Sequence, residues 1–220
     1  MEVWTVCAGD PPPGRISSLA QALHESWNLG ANWVQTRRKE DLEACRMIGA
    51  VPRHLPFLDC IYRTSEEGDF YYQTEVDIFG GLDPNEGDLI DRVSEALGQI
   101  LPDEAELVVP LGIGNHVDHD LTRKAAARLK RKLRYYADYP YARDPQGQEI
   151  LEFIERSPEW GADNLKVTDR GLEVWWNAAR AYRSQISTFW EDESALGMEI
   201  REFSSFLGGL KLWEALEGDD

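Results

Sequence analysis

Apolar residues occur along the chain in two patterns, as short continuous runs and as longer segments with helical spacing. The short runs end at polar or glycine residues, which is typical of buried strands in a parallel sheet. They predict strands at residues 3–7, 55–58 and 106–110, and a further short strand at 166–168. Helical periodicity with capping residues predicts helices at residues 32–49, 88–100, 120–134 and 172–189.

Strands that alternate with helices predict an α/β fold, in which a Rossmann-like, mostly parallel sheet has helices on both faces. The 220 residues suffice for one core and contain no repeat or convincing linker, so we predict a single domain over residues 1–220. Ligands of such sheets bind outside the carboxyl ends of the strands. Gly9-Asp10, Asp59 and residues 116–120 follow predicted strands at that end, and we expect them to share a crevice.

Charge and composition exclude several classes of partner. With 40 acidic and 23 basic residues the net charge is −17, which argues against nucleic acid and against an anionic membrane surface. The basic stretch from Arg123 to Arg134 is interpreted as the solvated face of a helix. Three cysteines without a C-x-x-C pair fit a reducing compartment. No apolar segment is long enough to span a membrane, so we predict a cytoplasmic protein.

His116 and His119 lie in one loop directly after the predicted strand at 106–110, and they are half of the four histidines in the chain. Imidazole is a common zinc ligand, and a catalytic zinc needs three protein ligands and one open position. Asp118, between the two histidines, is able to orient an imidazole by accepting its second N–H. The pattern indicates metal ligation and help to a hydrolytic transition state. The alternative is ordinary polar loop residues, one of which caps the following helix.

Four charged residues share the predicted helix at 32–49, namely Arg37, Arg38, Glu40 and Glu43. Their spacing by itself favours an exposed face of ion pairs. Asp59 either accepts hydrogen bonds from a polar ligand or caps a turn, and both interpretations stay open. The lone histidines His24 and His54 are interpreted as structural. Cys7 is interpreted as a packing residue, because no basic residue is near it in sequence.

The H-x-D-H motif at residues 116–119 is the most specific of several segments that occur together in one known family. The other segments are residues 5–9, 37–50, 58–59, 136–141 and 181–186. With these segments the chain resembles the LmbE-like or PIG-L zinc-dependent N-deacetylases, which remove acetyl groups from N-acetylglucosamine-containing compounds. The resemblance extends over nearly the whole chain.

By this resemblance His119 is a zinc (Zn²⁺) ligand, His116 stabilises the developing oxyanion, and Asp118 holds an imidazole in place. Arg37 or Arg38, together with Asp59, contacts the substrate. The implied reaction is hydrolysis of an N-acetyl group on an N-acetylglucosamine-type or related small molecule. Zinc polarises the acetyl carbonyl and activates a bound water, and a carboxylate carries the water proton to the leaving amine. The expected partner is this small molecule, and a homo-oligomer is left open.

No H-x-D-D segment occurs in the chain, whereas family members carry one after their first strand. In the family that segment supplies two zinc ligands and the carboxylate base. The resemblance begins at the family's second strand, so we expect the first, central strand and its helix, roughly 30 residues, to be missing. With one of three expected ligands, the chain as given is expected to bind zinc weakly and to hydrolyse little.

Three explanations for the missing segment remain. The natural start lies upstream of Met1, which is the explanation that we favour. Alternatively, the chain is a non-catalytic pseudoenzyme, or a sugar-binding or interaction protein, on the same fold. In the third explanation another segment, such as Gly9-Asp10 or Asp120, supplies a replacement ligand, and no sequence feature supports it.

Overall fold

Helices and short strands alternate along the chain, as the computed structural model shows for residues 1–27 and 32–216. The chain divides into two compact units. Unit 1 consists of Met1–Glu75 and Lys166–Gly208, and unit 2 of Val76–Leu165 with the described residues from Gly209 onward. The single domain over residues 1–220 stays a prediction. Within the described residues, no helix combines the length and the hydropathy needed to cross a bilayer.

The described residues form nine helices and six strands. The helices are α1 Ser18–Ser26, α2 Trp33–Met47, α3 Glu75–Ile78, α4 Leu89–Ile100, α5 Val117–Ala127, α6 Pro145–Arg156, α7 Asp169–Ala179, α8 Arg183–Phe189 and α9 Glu193–Leu207. The strands are β1 Glu2–Thr5, β2 Val51–His54, β3 Leu107–Pro110, β4 Leu133–Tyr136, β5 Trp160–Leu165 and β6 Leu210–Ala215.

In unit 1, β1 and β2 pair in parallel, with Thr5 opposite His54. The predicted strand at 55–58 is wrong, because the strand lies four residues earlier, at Val51–His54. The amides of Val51 and Leu55 donate to carbonyls of the β1 segment, over 3.1 and 2.9 Å. Because donors alternate along a strand, the absent N–H of Pro52 falls on the edge away from β1, where the ladder loses nothing.

The predicted helix at 32–49 is confirmed as α2. The apolar stripe that its spacing predicts, at Leu42, Cys45, Met47 and Ile48, is partly wrong. Leu42 and Ile48 of that stripe are exposed. The buried face carries Ala44 and Cys45 together with two carboxylates, Glu40 and Asp41. Those carboxylates are buried because each has hydrogen-bond partners on other elements of unit 1, as described below. Hydrophobic spacing therefore placed the helix correctly and misjudged which side of it faces the core.

The predicted helix at 172–189 is interrupted and forms α7 and α8. Ala181, in the break, is buried against Ala44 and Ala178, so the chain turns where small residues let α2 and α7 pack closely. The predicted strand at 166–168 is also wrong. Thr168 instead caps α7, with its hydroxyl accepting from the amide of Gly171 over 3.1 Å. Helix α9 and strand β6 were not predicted.

Unit 2 contains a sheet in the order β3-β4-β6-β5 among its described residues. Strands β3 and β4 are parallel, and β6 is antiparallel to both β4 and β5. The predicted strand at 106–110 is confirmed as β3. Leu107, Val109, Ala126 and Leu133 form a core cluster under this sheet. The α/β class is confirmed, and the antiparallel strand β6 is an addition to the parallel pattern.

The predicted helix at 120–134 begins earlier and ends earlier, as α5, and its last residues belong to β4. Lys130 adopts a left-handed backbone conformation with φ of 52°, which ends the helical path. Leu133 then enters the core as a strand residue. Arg134, which was assigned to that solvated helix face, instead lies on β4 and pairs with Glu106 and Asp163. The interpretation of residues 123–134 as one helix face is therefore wrong beyond Ala127.

Within the described residues, β1 pairs with β2 alone, and β3 pairs with β4 alone. Among the described residues, β1 and β3 therefore each present one edge without a strand partner. The expected missing central strand, and an upstream start of the chain, stay predictions.

Candidate functional site

The loop after β3 turns tightly because three of its residues have positive φ angles. These are Gly112 and Gly114, both at 87°, and Asn115, at 56°. Glycine adopts such angles without the steric cost that a Cβ adds. A Cβ on Gly114 would also lie only 2.7 Å from Cγ of Tyr141. The loop therefore requires glycine at 114 for both its backbone angle and the close approach of an aromatic ring.

Asp138 holds this loop and His119 together. Its side chain is fully buried, and Oδ2 accepts hydrogen bonds from the amides of Gly112 and Ile113, over 2.8 and 3.0 Å. Oδ1 lies 2.7 Å from Nδ1 of His119. One carboxylate thus receives three hydrogen bonds and fixes both the loop backbone and the imidazole. Sequence analysis assigned no role to Asp138, although it lies in the segment 136–141 on which the family resemblance partly rests.

The hydrogen bond to Asp138 sets the tautomer of His119. A carboxylate only accepts, so Nδ1 of His119 carries the proton and donates. In the neutral ring the other nitrogen, Nε2, then has the lone pair. About a third of the side chain is exposed. An imidazole that donates one N–H to a carboxylate and offers its other nitrogen is the arrangement of metal-bound histidines. It suits the predicted role of His119 as a ligand.

His116 has the complementary arrangement. Its Nδ1 accepts a hydrogen bond from the amide of Asp118 over 3.2 Å, so His116 is the N-cap of α5. The capping alternative considered from the sequence is confirmed. With Nδ1 accepting, the proton of a neutral ring is on Nε2, which is a donor. The ring centroids of His116 and His119 are 5.2 Å apart. A ring with a donor N–H thus lies beside a ring with a lone-pair nitrogen.

Asp118 is buried at the start of α5. The carboxylate that accepts from the His119 ring is Asp138, not Asp118, although Asp118 was predicted to orient an imidazole. A catalytic role of Asp118 stays a prediction.

The two predicted substrate-binding arginines of unit 1 have different environments. Arg38 donates from Nε to the carbonyl of Ala8 over 2.7 Å and forms an ion pair with Asp10 at 3.0 Å. It therefore stabilises the loop after β1. Arg37 stacks over the ring of Trp27, with 5.2 Å from its Cζ to the centroid. Stacking leaves the guanidinium N–H groups in its plane able to bind an acceptor.

Arg37 lines a cavity of about 90 Å³ in unit 1. The wall combines four aromatic rings with polar side chains: Thr5, Cys7, Trp27, Trp33, Arg37, Arg38, Asp41, His54, Asp59, Tyr62 and Tyr182. The indole Nε1 of Trp33 is buried and has no hydrogen-bond partner among the described residues. Apolar walls with a few placed donors are typical of small-molecule sites. Both arginines line the cavity, but Arg38 is already bonded to Ala8 and Asp10. The cavity therefore supports ligand contact more strongly for Arg37.

Asp59 caps the 3₁₀ turn Cys60–Tyr62 by accepting from the amide of Ile61 over 3.3 Å. The capping interpretation of Asp59 is therefore confirmed. Asp59 also lines the cavity, so contact with a ligand stays a prediction for it.

Asp41 organises one wall of the cavity. Its Oδ2 lies 2.7 Å from Nε2 of His54, and its Oδ1 accepts from the hydroxyl of Tyr182 over 2.6 Å. Burial, and then this bond to Asp41, raises the pKa of Tyr182, so the phenol stays protonated as the donor. The bonds link β2, α2 and the segment before α8. Asp41 was not singled out from the sequence, because a single acidic residue within a charged helix carries no distinctive signal.

Glu40 contradicts the interpretation of α2 as presenting an exposed face of ion pairs. It is buried and accepts from both the amide and the hydroxyl of Ser184, over 2.8 and 2.7 Å. Glu43 fits that interpretation, since it pairs with exposed Arg183 at 3.2 Å. Periodicity cannot separate the two glutamates, because the partner of Glu40 lies 144 residues away in sequence.

His24 is structural, as predicted. It is buried, stacks on Trp33 at 3.7 Å between centroids, and lies 2.7 Å from the hydroxyl of Tyr62. Burial lowers the pKa of His24, because it penalises the charged imidazolium.

Stability is expected to fall as the pH drops through the ordinary histidine pKa of about 6.5. Below that pH the unfolded chain binds a proton on His24 that the folded chain resists, so the free energy of the unfolded state falls relative to that of the folded state. Above it, His24 is neutral in both states and the effect vanishes. Denaturant unfolding measured above and below this pH should show that the free energy of unfolding depends less on pH in His24→Gln than in the wild type. An equal pH dependence of the free energy of unfolding in both proteins would contradict the assignment of this effect to His24.

The described residues of unit 2 fit a zinc site only in part. The His119–Asp138 pair fits one ligand with its supporting carboxylate. A catalytic zinc takes three protein ligands, and among the described residues neither unit by itself brings three suitable donor atoms together. Unit 2 alone therefore fits one zinc ligand and does not complete a site.

No protein-family model matches the chain. The chain is 35% identical in sequence to 2'-N-acetylparomamine deacetylase from Niallia circulans over 128 residues. These residues are 56% of this chain and 44% of that protein. The match therefore spans less than half the length of this curated relative.

Solved deacetylase structures share the fold over nearly the whole chain. One is a deacetylase–bog complex from the teicoplanin biosynthesis pathway, with a TM-score of 0.78 and 28% identity over 99% of this chain and 87% of that one. A zinc-inhibited form of teicoplanin deacetylase Orf2 has a TM-score of 0.74 and 26% identity over 99% and 88%. A deacetylase–teicoplanin complex has a TM-score of 0.75 and 25% identity over 99% and 87%. These relatives in sequence and in structure are all deacetylases.

Proposed function

We propose that the protein is a zinc-dependent hydrolase that removes the N-acetyl group from an N-acetylglucosamine-type or related small molecule. The observation that carries this proposal is the His119–Asp138 pair, with its 2.7 Å hydrogen bond, beside the donor nitrogen of His116. The deacetylase relatives support it. The LmbE-like or PIG-L type is proposed on the same grounds. A cytoplasmic location is proposed from the three cysteines without a C-x-x-C pair.

In the proposed reaction a water adds to the acetyl carbon, the C–N bond breaks, acetate leaves, and the amine takes up a proton. Zinc, held in part by Nε2 of His119, would polarise the carbonyl and acidify the water. Asp138 keeps His119 in the tautomer that offers this nitrogen. His116, with Nε2–H as a donor, stabilises the negative charge that develops on the acetyl oxygen. Arg37 and Asp59 are proposed to bind polar groups of the substrate.

The chain lacks an H-x-D-D segment, and so lacks the two ligands and the base that the resemblance assigns to it. We therefore expect this chain to bind zinc more weakly than micromolar and to turn over slowly. The test is calorimetric titration with zinc, together with amine release from N-acetylglucosamine and N-acetylated aminoglycosides, with and without a chelator. Slow, chelator-sensitive amine release is expected. Tight, stoichiometric binding of zinc together with rapid turnover would refute the expected weak binding and slow hydrolysis.

The missing H-x-D-D segment also favours a second candidate, a non-catalytic sugar-binding or interaction protein. It predicts that acetylated sugars bind to the chain and that a chelator leaves this binding unchanged. It also predicts no amine release above the buffer rate. Sugar binding that persists without zinc and without turnover would therefore favour it over the hydrolase.

A further inference from the structure

One buried imidazole lies behind the aromatic wall of the unit 1 cavity. The ring of His24, on α1, stacks on that of Trp33, with 3.7 Å between centroids and an interplanar angle of 24°. Its Nε2 lies 2.7 Å from the hydroxyl of Tyr62, and the ring of Trp27 is 6.2 Å away. Trp27, Trp33 and Tyr62 line the cavity, whereas His24 does not. His24 is therefore the common neighbour of three of the four rings in this wall.

The hydrogen bond between His24 and Tyr62 depends on the protonation state of His24. Burial, and then the charge of Asp59, raises the pKa of Tyr62, so the phenol keeps its proton. Among the described residues, Nε2 of His24 is the acceptor within hydrogen-bond distance of this hydroxyl, so the neutral ring accepts there. An imidazolium has only N–H donors. Protonation of His24 therefore turns Tyr62 from donor to acceptor, and the phenolic hydrogen has to leave this bond.

The stack of His24 on Trp33 fixes the plane of the indole and with it the direction of the indole N–H. This Nε1 is buried and has no hydrogen-bond partner among the described residues, so an acceptor on a cavity ligand would complete it. A charged imidazolium in the same buried stack needs solvation that the stack does not offer. Protonation therefore disturbs the contact that orients the Trp33 donor.

Few charged groups face His24 from the elements packed around it. Arg37 of α2 and Asp59, before the 3₁₀ turn, carry opposite charges and both act on Tyr62. Glu25, the next residue of α1, is exposed. Burial lowers the pKa of His24, so this residue is neutral near pH 7 and takes up a proton only as the pH falls below the ordinary value of about 6.5.

We propose that neutral His24 is a positioning residue for the cavity, which holds Trp33 and Tyr62 in the arrangement that binds the substrate, and that its protonation disorganises this wall. The binding form of unit 1 is then confined to chains with a neutral His24. Because a single proton is involved, the apparent Kd rises by at most about tenfold for each pH unit below the pKa of His24. This inference rests on the proposed function, in which Arg37 of the cavity binds a polar group of the N-acetylated substrate.

The experiment measures the Kd for N-acetylglucosamine by calorimetry at about pH 7.5 and about pH 5, with circular dichroism to verify folding at each pH. The wild type should bind severalfold more weakly at the lower pH. His24→Gln keeps an acceptor for Tyr62 and does not titrate, so its Kd should change much less between the two pH values. His24→Phe keeps a ring on Trp33 but loses the bond to Tyr62, so it should bind weakly at both.

Gln21→Ala is the matched control, because Gln21 lies on the exposed side of the same helix, where it donates to Glu25 over 3.0 Å. It should reproduce the wild-type pH profile. His54 is a second imidazole in the cavity wall, so the difference between the wild type and His24→Gln, and not the wild-type profile alone, assigns the effect to His24. Identical pH profiles of Kd in the wild type and His24→Gln would overturn the proposal. So would a profile that Gln21→Ala abolishes.

Amine release from the same samples separates this inference from the proposed function. Where amine is released, His24→Phe should raise KM and leave kcat near the wild-type value, because His24 acts through the cavity wall. Binding with a His24-dependent pH profile, but without amine release, would sustain the role of His24 and refute the hydrolase. Amine release with one pH profile of KM in the wild type and His24→Gln would sustain the hydrolase and refute the role of His24. If N-acetylglucosamine is neither bound nor hydrolysed, both are refuted.

Discussion

Replacing His119 with alanine is expected to lower the slow, chelator-sensitive hydrolysis of the amide to the rate of buffer alone. The variant removes the nitrogen proposed to hold the metal, and His116 cannot substitute because its Nδ1 is engaged in capping α5. Folding should be affected much less. One hydrogen bond to Asp138 is lost, whereas the two bonds from the amides of Gly112 and Ile113 remain, so the free energy of unfolding should fall by about 1–2 kcal/mol.

The measurements are amine release and denaturant unfolding on the same preparations. Arg128→Ala is a suitable control, since Arg128 follows α5 and its side chain forms an exposed ion pair with Asp91 at 3.0 Å. It should leave kcat/KM and stability near wild-type values. If a folded His119→Ala protein hydrolyses the amide at the wild-type rate, the proposed role of His119 is refuted. The proposed function then loses its main support.

Replacing Asp138 with asparagine is expected to lower both stability and activity, although the side chains have nearly the same shape. An amide oxygen can still accept from Gly112 and Ile113, but the NH₂ group then faces Nδ1 of His119. Two donors cannot bond, so the imidazole must change tautomer or move. In the changed tautomer Nε2 carries the proton and its lone pair is lost.

We expect Asp138→Asn to lower the free energy of unfolding by about 2–4 kcal/mol and kcat/KM by roughly 10- to 100-fold. Nitrogen-15 NMR of the imidazoles reports the tautomer directly and separates a positioning role from a loss of folding. Asp144→Asn, at a side chain that is 64% exposed, is the matched control and should change neither quantity. A wild-type tautomer of His119 in Asp138→Asn would contradict this account.

Local sequence pattern predicted the elements whose boundaries depend on nearby residues. Helices α2 and α4 and strand β3 were located within a few residues, because periodicity and turn residues there agree with the fold. The pattern failed where contacts with residues distant in sequence determine whether a segment is helix or strand. Residues 120–134 keep helical spacing, yet Leu133 is buried as a strand residue beside Leu107. Continuity of apolar spacing therefore does not show where a helix gives way to a strand.

In the candidate site, too, the local pattern located some residues, whereas contacts between distant residues determined the others. Sequence located His116 and His119, because two histidines beside an aspartate after a buried strand are a local signal. It did not identify Asp138, which follows His119 by 19 residues, nor did it separate Arg37 from Arg38. Their environments are set by the carbonyl of Ala8 on one side and the ring of Trp27 on the other.

By itself, the sequence determined the α/β class, the glycine-containing turn and the two imidazoles after β3, since these depend on spacing, backbone freedom and residue type. Only the tertiary structure decided which nitrogen of each imidazole offers a lone pair and which side chains wall the unit 1 cavity. Protonation and orientation depend on hydrogen-bond partners that folding brings together from distant parts of the chain, and no local pattern encodes those partners.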